Sequence, residues 1–156
     1  ITEKCKTYKD FAESSLEDVY GTEKLESANH LTANTFSSIV ILSTQNGYTY
    51  NKLNVEAQFS PINKFIVEDF NKDGNLDFII GGNMYHTEVE TARYDAGTGR
   101  YFLGDGNGSF NSLSVGKSGI YIDNDVKDIN PIIINNKKTY LVTNNNSAPQ
   151  MIIKNR

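Results

Sequence analysis

Residues 64–82 run Lys64-Phe65-Ile66-Val67-Glu68-Asp69-Phe70-Asn71-Lys72-Asp73-Gly74-Asn75-Leu76-Asp77-Phe78-Ile79-Ile80-Gly81-Gly82. Two apolar stretches flank a loop dense in oxygen-bearing side chains. Lys64–Glu68 and Leu76–Gly82 are short and rich in β-branched and aromatic residues, so each reads as a buried strand. Between them Asp69, Asn71, Asp73 and Asp77 stand two and four residues apart around Gly74, whose missing Cβ permits a sharp turn. Three carboxylates this close repel one another unless a cation lies between them. Calcium is the hard ion that takes about six to eight oxygen ligands. The side chains of Asp69, Asn71, Asp73 and Asp77 and the main-chain carbonyl of Asn75 therefore read as a Ca2+ loop. An EF-hand would carry a bidentate Glu at the twelfth position and run into a helix. Ile80 stands there instead, and the loop belongs to a β-hairpin.

This strand-D-x-[DN]-x-D-G-x-x-D-strand pattern resembles the FG-GAP/VCBS repeat, the blade unit of calcium-binding β-propellers such as the integrin α-subunit head. Three further stretches are similar to the C-terminal part of large bacterial FG-GAP/VCBS-repeat proteins, some of them of the ASPIC/UnbV type. They are Glu56-Ala57-Gln58-Phe59-Ser60-Pro61, Ala92-Arg93-Tyr94-Asp95-Ala96 and Leu103-Gly104-Asp105-Gly106-Asn107-Gly108-Ser109-Phe110. The resemblance covers residues 7–156 and is most specific over the hairpin. It implies an all-β fold, a partial β-propeller of about two to three blades of antiparallel four-stranded sheet with an N-terminal helical insertion. A propeller closes with about four to eight blades. The chain thus reads as the C-terminal portion of a larger propeller, with the remaining blades as partners that cover its edges.

A length of 156 residues suits one domain with a core of its own. The apolar fraction is low at 38%, but 9 Tyr and 8 Phe supply large buried surfaces, and 12 Gly fit a turn-rich β protein. A net charge of −4 and a pI near 5.1 argue against a nucleic-acid or anionic-membrane partner, which would need a basic patch. No apolar run approaches the roughly 20 residues that cross a bilayer. No signal peptide is read in these residues, and the start Ile1-Thr2-Glu3-Lys4 reads as processed or cut from something longer. Cys5 has no internal partner and reads as a free thiol near a frayed end. A calcium loop of moderate affinity, about 10⁻⁴ to 10⁻³ M, fills outside the cytosol. An extracellular, cell-surface or periplasmic location follows.

Residues 1–35 read as a helical segment and 36–156 as propeller blades. Tyr8, Phe11, Ala12, Leu16, Val19 and Tyr20 recur at helical spacing, with Thr7 and Asp10 as a capping box and Gly21 as terminator. One amphipathic helix over 7–20 is predicted, its apolar face used for packing, and then a shorter one over 22–28 with Thr22 as N-cap. Strands follow at 38–43 and 48–55 around an Asn46-Gly47 turn. The inner hairpin 64–69 and 77–82 and an outer hairpin 100–104 and 109–115 complete the next blade. Val67-Glu68-Asp69-Phe70 is echoed 59 residues later by Val126-Lys127-Asp128-Ile129, ahead of strands at 138–144 and 150–154. There Asn130-Pro131 replace the metal-loop residues, and no calcium is assigned.

Met84–Gly99 is too long for a tight turn, and long loops on rigid sheets carry binding residues. Arg93 and Asp95, with Gln58 and Ser60 from the other long loop, form a candidate surface for a protein or glycan ligand; the alternative is a network that only fixes the loop. Little supports an enzyme. His30 and His86 lack zinc spacing, Ser109 lacks the G-x-S-x-G elbow, and the glycines around Asp105 precede a strand rather than a helix. The sequence points to a calcium-binding binding or adhesion scaffold. The alternatives are the carbohydrate-binding part of a polysaccharide-degrading enzyme and an assembly subunit of a cell-envelope complex.

Overall fold

The N-terminal amphipathic run breaks where a second capping box competes with it. In the computed structural model, which describes residues 4–153, it forms three short helices, α1 (Tyr8–Glu13), α2 (Leu16–Tyr20) and α3 (Thr22–Glu26). Thr7 caps α1 as expected, its hydroxyl accepting from the Asp10 amide at 3.1 Å. Ser15 and Asp18 repeat the device: the Asp18 amide donates to Ser15 Oγ at 3.2 Å and the Ser15 amide to Asp18 Oδ2 at 2.9 Å. A capped start satisfies otherwise orphaned amides, so the single helix over 7–20 is corrected to two. Gly21, at φ 85°, is the N-cap of α3, and Thr22 is its first residue rather than its cap. No residue of the three helices is buried, so the packing expected of their apolar face is not what the structure shows. These helices belong to a compact unit, Ile1–Phe36; the second unit is Ser37–Arg156.

The second unit is built from three antiparallel sheets, none closed on itself. The first pairs β1 (Ile39–Thr44) with β2 (Gly47–Lys52). Gln45 and Asn46 make the turn between them, one residue earlier than the expected Asn46-Gly47, and Gly47, at φ 120°, opens β2 opposite Thr44. The middle sheet is a four-stranded meander of β3 (Ile62–Glu68), β4 (Asp77–Gly82), β5 (Arg100–Gly104) and β6 (Phe110–Leu113). A short helix α4 (Val115–Ser118) leads to the third sheet, β7 (Val126–Ile134), β8 (Lys137–Asn144) and β9 (Ser147–Ile153). β7 runs straight through Asn130-Pro131 and turns at Asn135 and Asn136, both left-handed at φ 49° and 59°. The loop expected at Asn130-Pro131 is therefore a strand. Proline is tolerated there because β7 is an edge strand, where a missing amide need not break a ladder.

β4 holds the stack together because both of its faces are buried. Alternation sends Phe78 and Ile80 to one side and Ile79 to the other. Phe78 and Ile80 join Ala57 and Phe102 in a core that Val40 and Leu53 of the first sheet's region cover. Phe78 and Phe102 face each other across β4 and β5, their rings stacked at 4.6 Å. Ile79 joins Val126, Ile129, Tyr140 and Val142 of the third sheet in a second core. The middle sheet is thus the filling between two others. Gly81 sets how close β7 comes, since a Cβ there would stand 3.1 Å from Ile129 Cδ1. Around this core Lys64 pairs with Asp128 at 2.6 Å, and Glu68 accepts from Tyr140 Oη at 2.6 Å and pairs with Lys138. Such half-exposed ion pairs add about 0–1 kcal/mol each. Burial carries the stability. Among the described residues no helix is long and apolar enough to cross a membrane.

Phe102 has no exposed surface, so Phe102→Ala should lower the unfolding free energy by about 3–5 kcal/mol. Tyr48 is 79% exposed, and Tyr48→Ala should change it by less than about 0.5 kcal/mol. Urea unfolding of the two variants measures the contrast.

Candidate metal centre and neighbouring loops

Two left-handed residues, Lys72 at φ 66° and Gly74 at φ 92°, coil residues 69–77 so that main-chain amides point inward at the acids. Asp69 accepts from the Asp73 amide at 3.1 Å through Oδ1 and from the Gly74 amide at 2.9 Å through Oδ2. Asn71 Oδ1 accepts from the Asp73 amide at 3.0 Å, and Asp73 Oδ1 from the Asn75 amide at 2.8 Å. Asn71 Nδ2 donates to Asp73 Oδ2 at 2.7 Å. That side-chain bond, followed by the Asn75 amide, holds the Asp73 carboxyl below its ordinary range. Asp69, Asn71, Asp73 and Asn75 are brought together in one hydrogen-bonded coil.

Asp77 is placed differently. It is fully buried, and it reaches under the loop to β5. Its Oδ1 accepts from the Gly104 amide at 3.0 Å, and its Oδ2 from Tyr101 Oη at 2.8 Å and the Phe70 amide at 3.2 Å. A carboxylate offers about four lone-pair sites. Three are used, which leaves room for one more contact. The approach depends on Gly104, where a Cβ would fall 2.1 Å from the Leu76 carbonyl oxygen. Gly106, in the following turn, likewise makes space by its missing Cβ, in this case for Asn75 Oδ1. Among the described residues no group of three or more His, Cys, Asp or Glu side chains is gathered as a metal cluster. The oxygens of this loop come from carboxylates and amides together.

The four residues of the second candidate surface divide. Gln58 ties the ends of the first sheet: its Oε1 accepts from the Ser38 amide at 2.7 Å, and its Nε2 donates to the carbonyls of Ser38 and Leu53 at 3.1 Å. Ser60 donates to the Tyr94 carbonyl at 3.3 Å. Arg93 pairs with Asp95 at 2.7 Å and lies over the Tyr85 ring at 4.7 Å. Ser60, Arg93 and Asp95 thus belong to the long loop's network, whereas Gln58 serves as a clamp.

Sequence reasoning missed two residues that position this loop. Asn83, left-handed at φ 75° and without exposed surface, donates to the carbonyls of Gly97 and Asp123, both at 2.8 Å. Its Oδ1 accepts from the Gly97 amide at 2.9 Å, closing the loop's base. The Gly-Gly-Asn at the end of β4 was the available signal, because asparagine tolerates the left-handed region. Asp125, 1% exposed, pairs with Lys127 at 2.6 Å and accepts from Asn145 Nδ2 at 3.4 Å. Burial pushes its carboxyl upward, but Lys127 and Asn145 outweigh that and hold it below the ordinary range. Asn145 Nδ2 also lies 2.9 Å from His86 Nδ1. Nothing near Asp125 in sequence marks it.

No family model, curated protein or solved structure matches the chain.

Burial, and then the bond to Asp77, raise the Tyr101 hydroxyl well above its ordinary range; burial and Glu68 do the same at Tyr140. Both tyrosines are neutral in the fold. Their contribution is therefore fully present below the ordinary value of about 10 and lost as pH rises beyond it. Melting temperature should fall through this alkaline range, and Tyr101→Phe should flatten the fall while costing roughly 1.5–3 kcal/mol at neutral pH. Thermal unfolding across a range of about pH 8–12 tests both.

Proposed function

We propose that this chain is a calcium-binding portion of a β-propeller from an exported or cell-surface protein, acting as a binding or adhesion scaffold. The observation that carries the reading is the 69–77 coil. Its side-chain oxygens at alternate positions are already aimed and braced by main-chain amides, and the donors are the hard oxygens that calcium takes. Asp69, Asn71 and Asp73 would hold the ion through side chains, Asn75 through its carbonyl, and Asp77 through its remaining lone pair. Bound calcium supplies charge that offsets the mutual repulsion of the acids. Asp77 then makes the site part of the core rather than an appendage, because its other bonds reach β5. The four-stranded meander stacked between two further sheets supports a blade assignment.

Isothermal titration of a metal-stripped sample should show one calcium bound. At a free concentration about a hundred times the dissociation constant, binding adds roughly 2.7 kcal/mol, so chelation should lower the melting temperature. Asp73→Ala should abolish that sensitivity. A folded sample that takes up no calcium defeats the reading.

The ligand surface we assign to the long loop, with Arg93 at its centre and Asp95 and Ser60 as supports. A glycan is favoured over a protein ligand by the exposed Tyr94 next to Arg93 and by the Tyr85 ring beneath it, since aromatic faces suit the apolar side of a sugar. Arg93→Ala should lose binding on an immobilised glycan panel while lowering stability by no more than about 1 kcal/mol. A larger loss would make Arg93 a brace.

A further inference from the structure

Asn46-Gly47 and Asn107-Gly108 are the places where asparagine precedes glycine in this chain. An asparagine side chain is open to attack by the main-chain nitrogen of the next residue, and glycine, lacking a Cβ, neither shields that nitrogen nor restricts the backbone as a ring closes. In sequence the two sites are equivalent. In the fold they are not. Gly47 stands opposite Thr44 across the two-residue turn of β1 and β2, the pair that exchanges both main-chain bonds. Its nitrogen is therefore held in the ladder, and the Thr44 hydroxyl adds a bond to the Gly47 carbonyl at 3.0 Å.

Asn107-Gly108 lies in the turn between β5 and β6, where the hydrogen bonds pass over the Gly108 nitrogen. Asp105 Oδ1 accepts from the Asn107 amide at 2.8 Å and from the Ser109 amide at 3.0 Å. The Asp105 amide donates to the Ser109 carbonyl at 3.1 Å. The Gly108 amide, which lies between, has no acceptor among the described residues. Asn107 is exposed, and its Nδ2 makes a single bond, to the Asp105 carbonyl at 3.3 Å. Packing requires the glycine: it is left-handed at φ 89°, and a Cβ there would fall 2.3 Å from Leu42 Cδ1 of β1. The close approach of this turn to the first sheet thus brings a reactive dipeptide with it.

We propose that Asn107 is a site of spontaneous covalent modification, converting to aspartate and isoaspartate through a cyclic imide with water as the only co-reactant. The Gly108 nitrogen loses its proton to solvent base and bonds to Asn107 Cγ, and the Cγ–Nδ2 bond breaks as ammonia departs. Water then opens the ring. Attack at the Cγ carbonyl leaves aspartate, and attack at the original main-chain carbonyl leaves isoaspartate, with the main chain rerouted through Cβ and Cγ. Either product sets a carboxylate beside that of Asp105. Isoaspartate also lengthens by one atom a turn that Asp105 Oδ1 spans with two bonds and that Asn51 ties to β2 through the Gly108 carbonyl at 3.1 Å.

The full chain, incubated in mildly alkaline buffer and mapped at intervals by peptide mass, tests the assignment in the folded state and in guanidinium. Unfolded, Asn46 and Asn107 should convert at similar rates. Folded, Asn107 should convert about tenfold or more faster than Asn46, because Asn46 must first open a ladder pair. Asn107→Gln should remove the main acidic species that anion exchange separates from the folded sample. Equal rates in the folded chain, or faster conversion at Asn46, overturn the proposal. So does a folded Asn107 that stays intact while the unfolded sample converts, or an acidic species that persists in Asn107→Gln. A preference for Asn107 that is as large in guanidinium would overturn the part assigned to the fold.

Discussion

A buried carboxylate joins the acidic 69–77 loop to the sheet, and the middle of this protein is organised around it. Asp77 is the first residue of β4 and the last oxygen-bearing side chain of the loop. A carboxyl group without access to water is tolerated only when hydrogen-bond partners surround it. Gly104, Phe70 and Tyr101 provide them from the neighbouring strand and from the loop's own start. Tyr101 in turn sets its ring edge against Phe70, which meets Tyr140 of the third sheet in the same way, at 5.6 and 5.5 Å. One acid therefore fixes the loop, the β4–β5 pairing and the aromatic seam toward the next sheet. Removing any donor leaves a buried carboxyl oxygen short of a partner.

At the other end of β4 a neutral group does the equivalent work. Asn83 adopts a conformation that few side-chain-bearing residues accept, and its amide closes the base of the long loop. Asn63 extends the network, donating to the Asn83 carbonyl at 2.7 Å and to the Val126 carbonyl at 3.0 Å. β4 is thus anchored by a carboxylate where it begins and by an amide where it finishes, with apolar contacts on both faces between. The 69–77 coil and the long loop both spring from these anchored ends.

The sequence disclosed most of the strands, because their cues are local. Alternating apolar residues, Asn46-Gly47, and the glycines around Asp105 mark hairpins wherever they occur, and the middle meander follows them closely. The acids of the loop were legible from spacing, though not that Asp77 would turn inward, since its partners lie 24 and 27 residues away. The helix over 7–20 failed because apolar periodicity runs straight through Ser15, where a cap ends one helix and begins another. The third sheet's first strand was obscured by Pro131, whose tolerance depends on being at an edge, a fact of topology rather than of composition. Gln58 looked like a surface donor. Its partners at Ser38 and Leu53 could not be known before the first sheet was in place.

The link between Asp125 and His86 carries information about a proton. Asp125 Oδ2 can only accept, so Asn145 must turn its amide nitrogen toward it. The same nitrogen meets His86 Nδ1, which must therefore also accept. A neutral imidazole in this position bears its hydrogen on Nε2. A side chain 71% open to solvent has in this way been given a fixed polarity by a carboxylate that solvent scarcely reaches. Whatever approaches that surface meets a donor in His86, chosen from inside the protein.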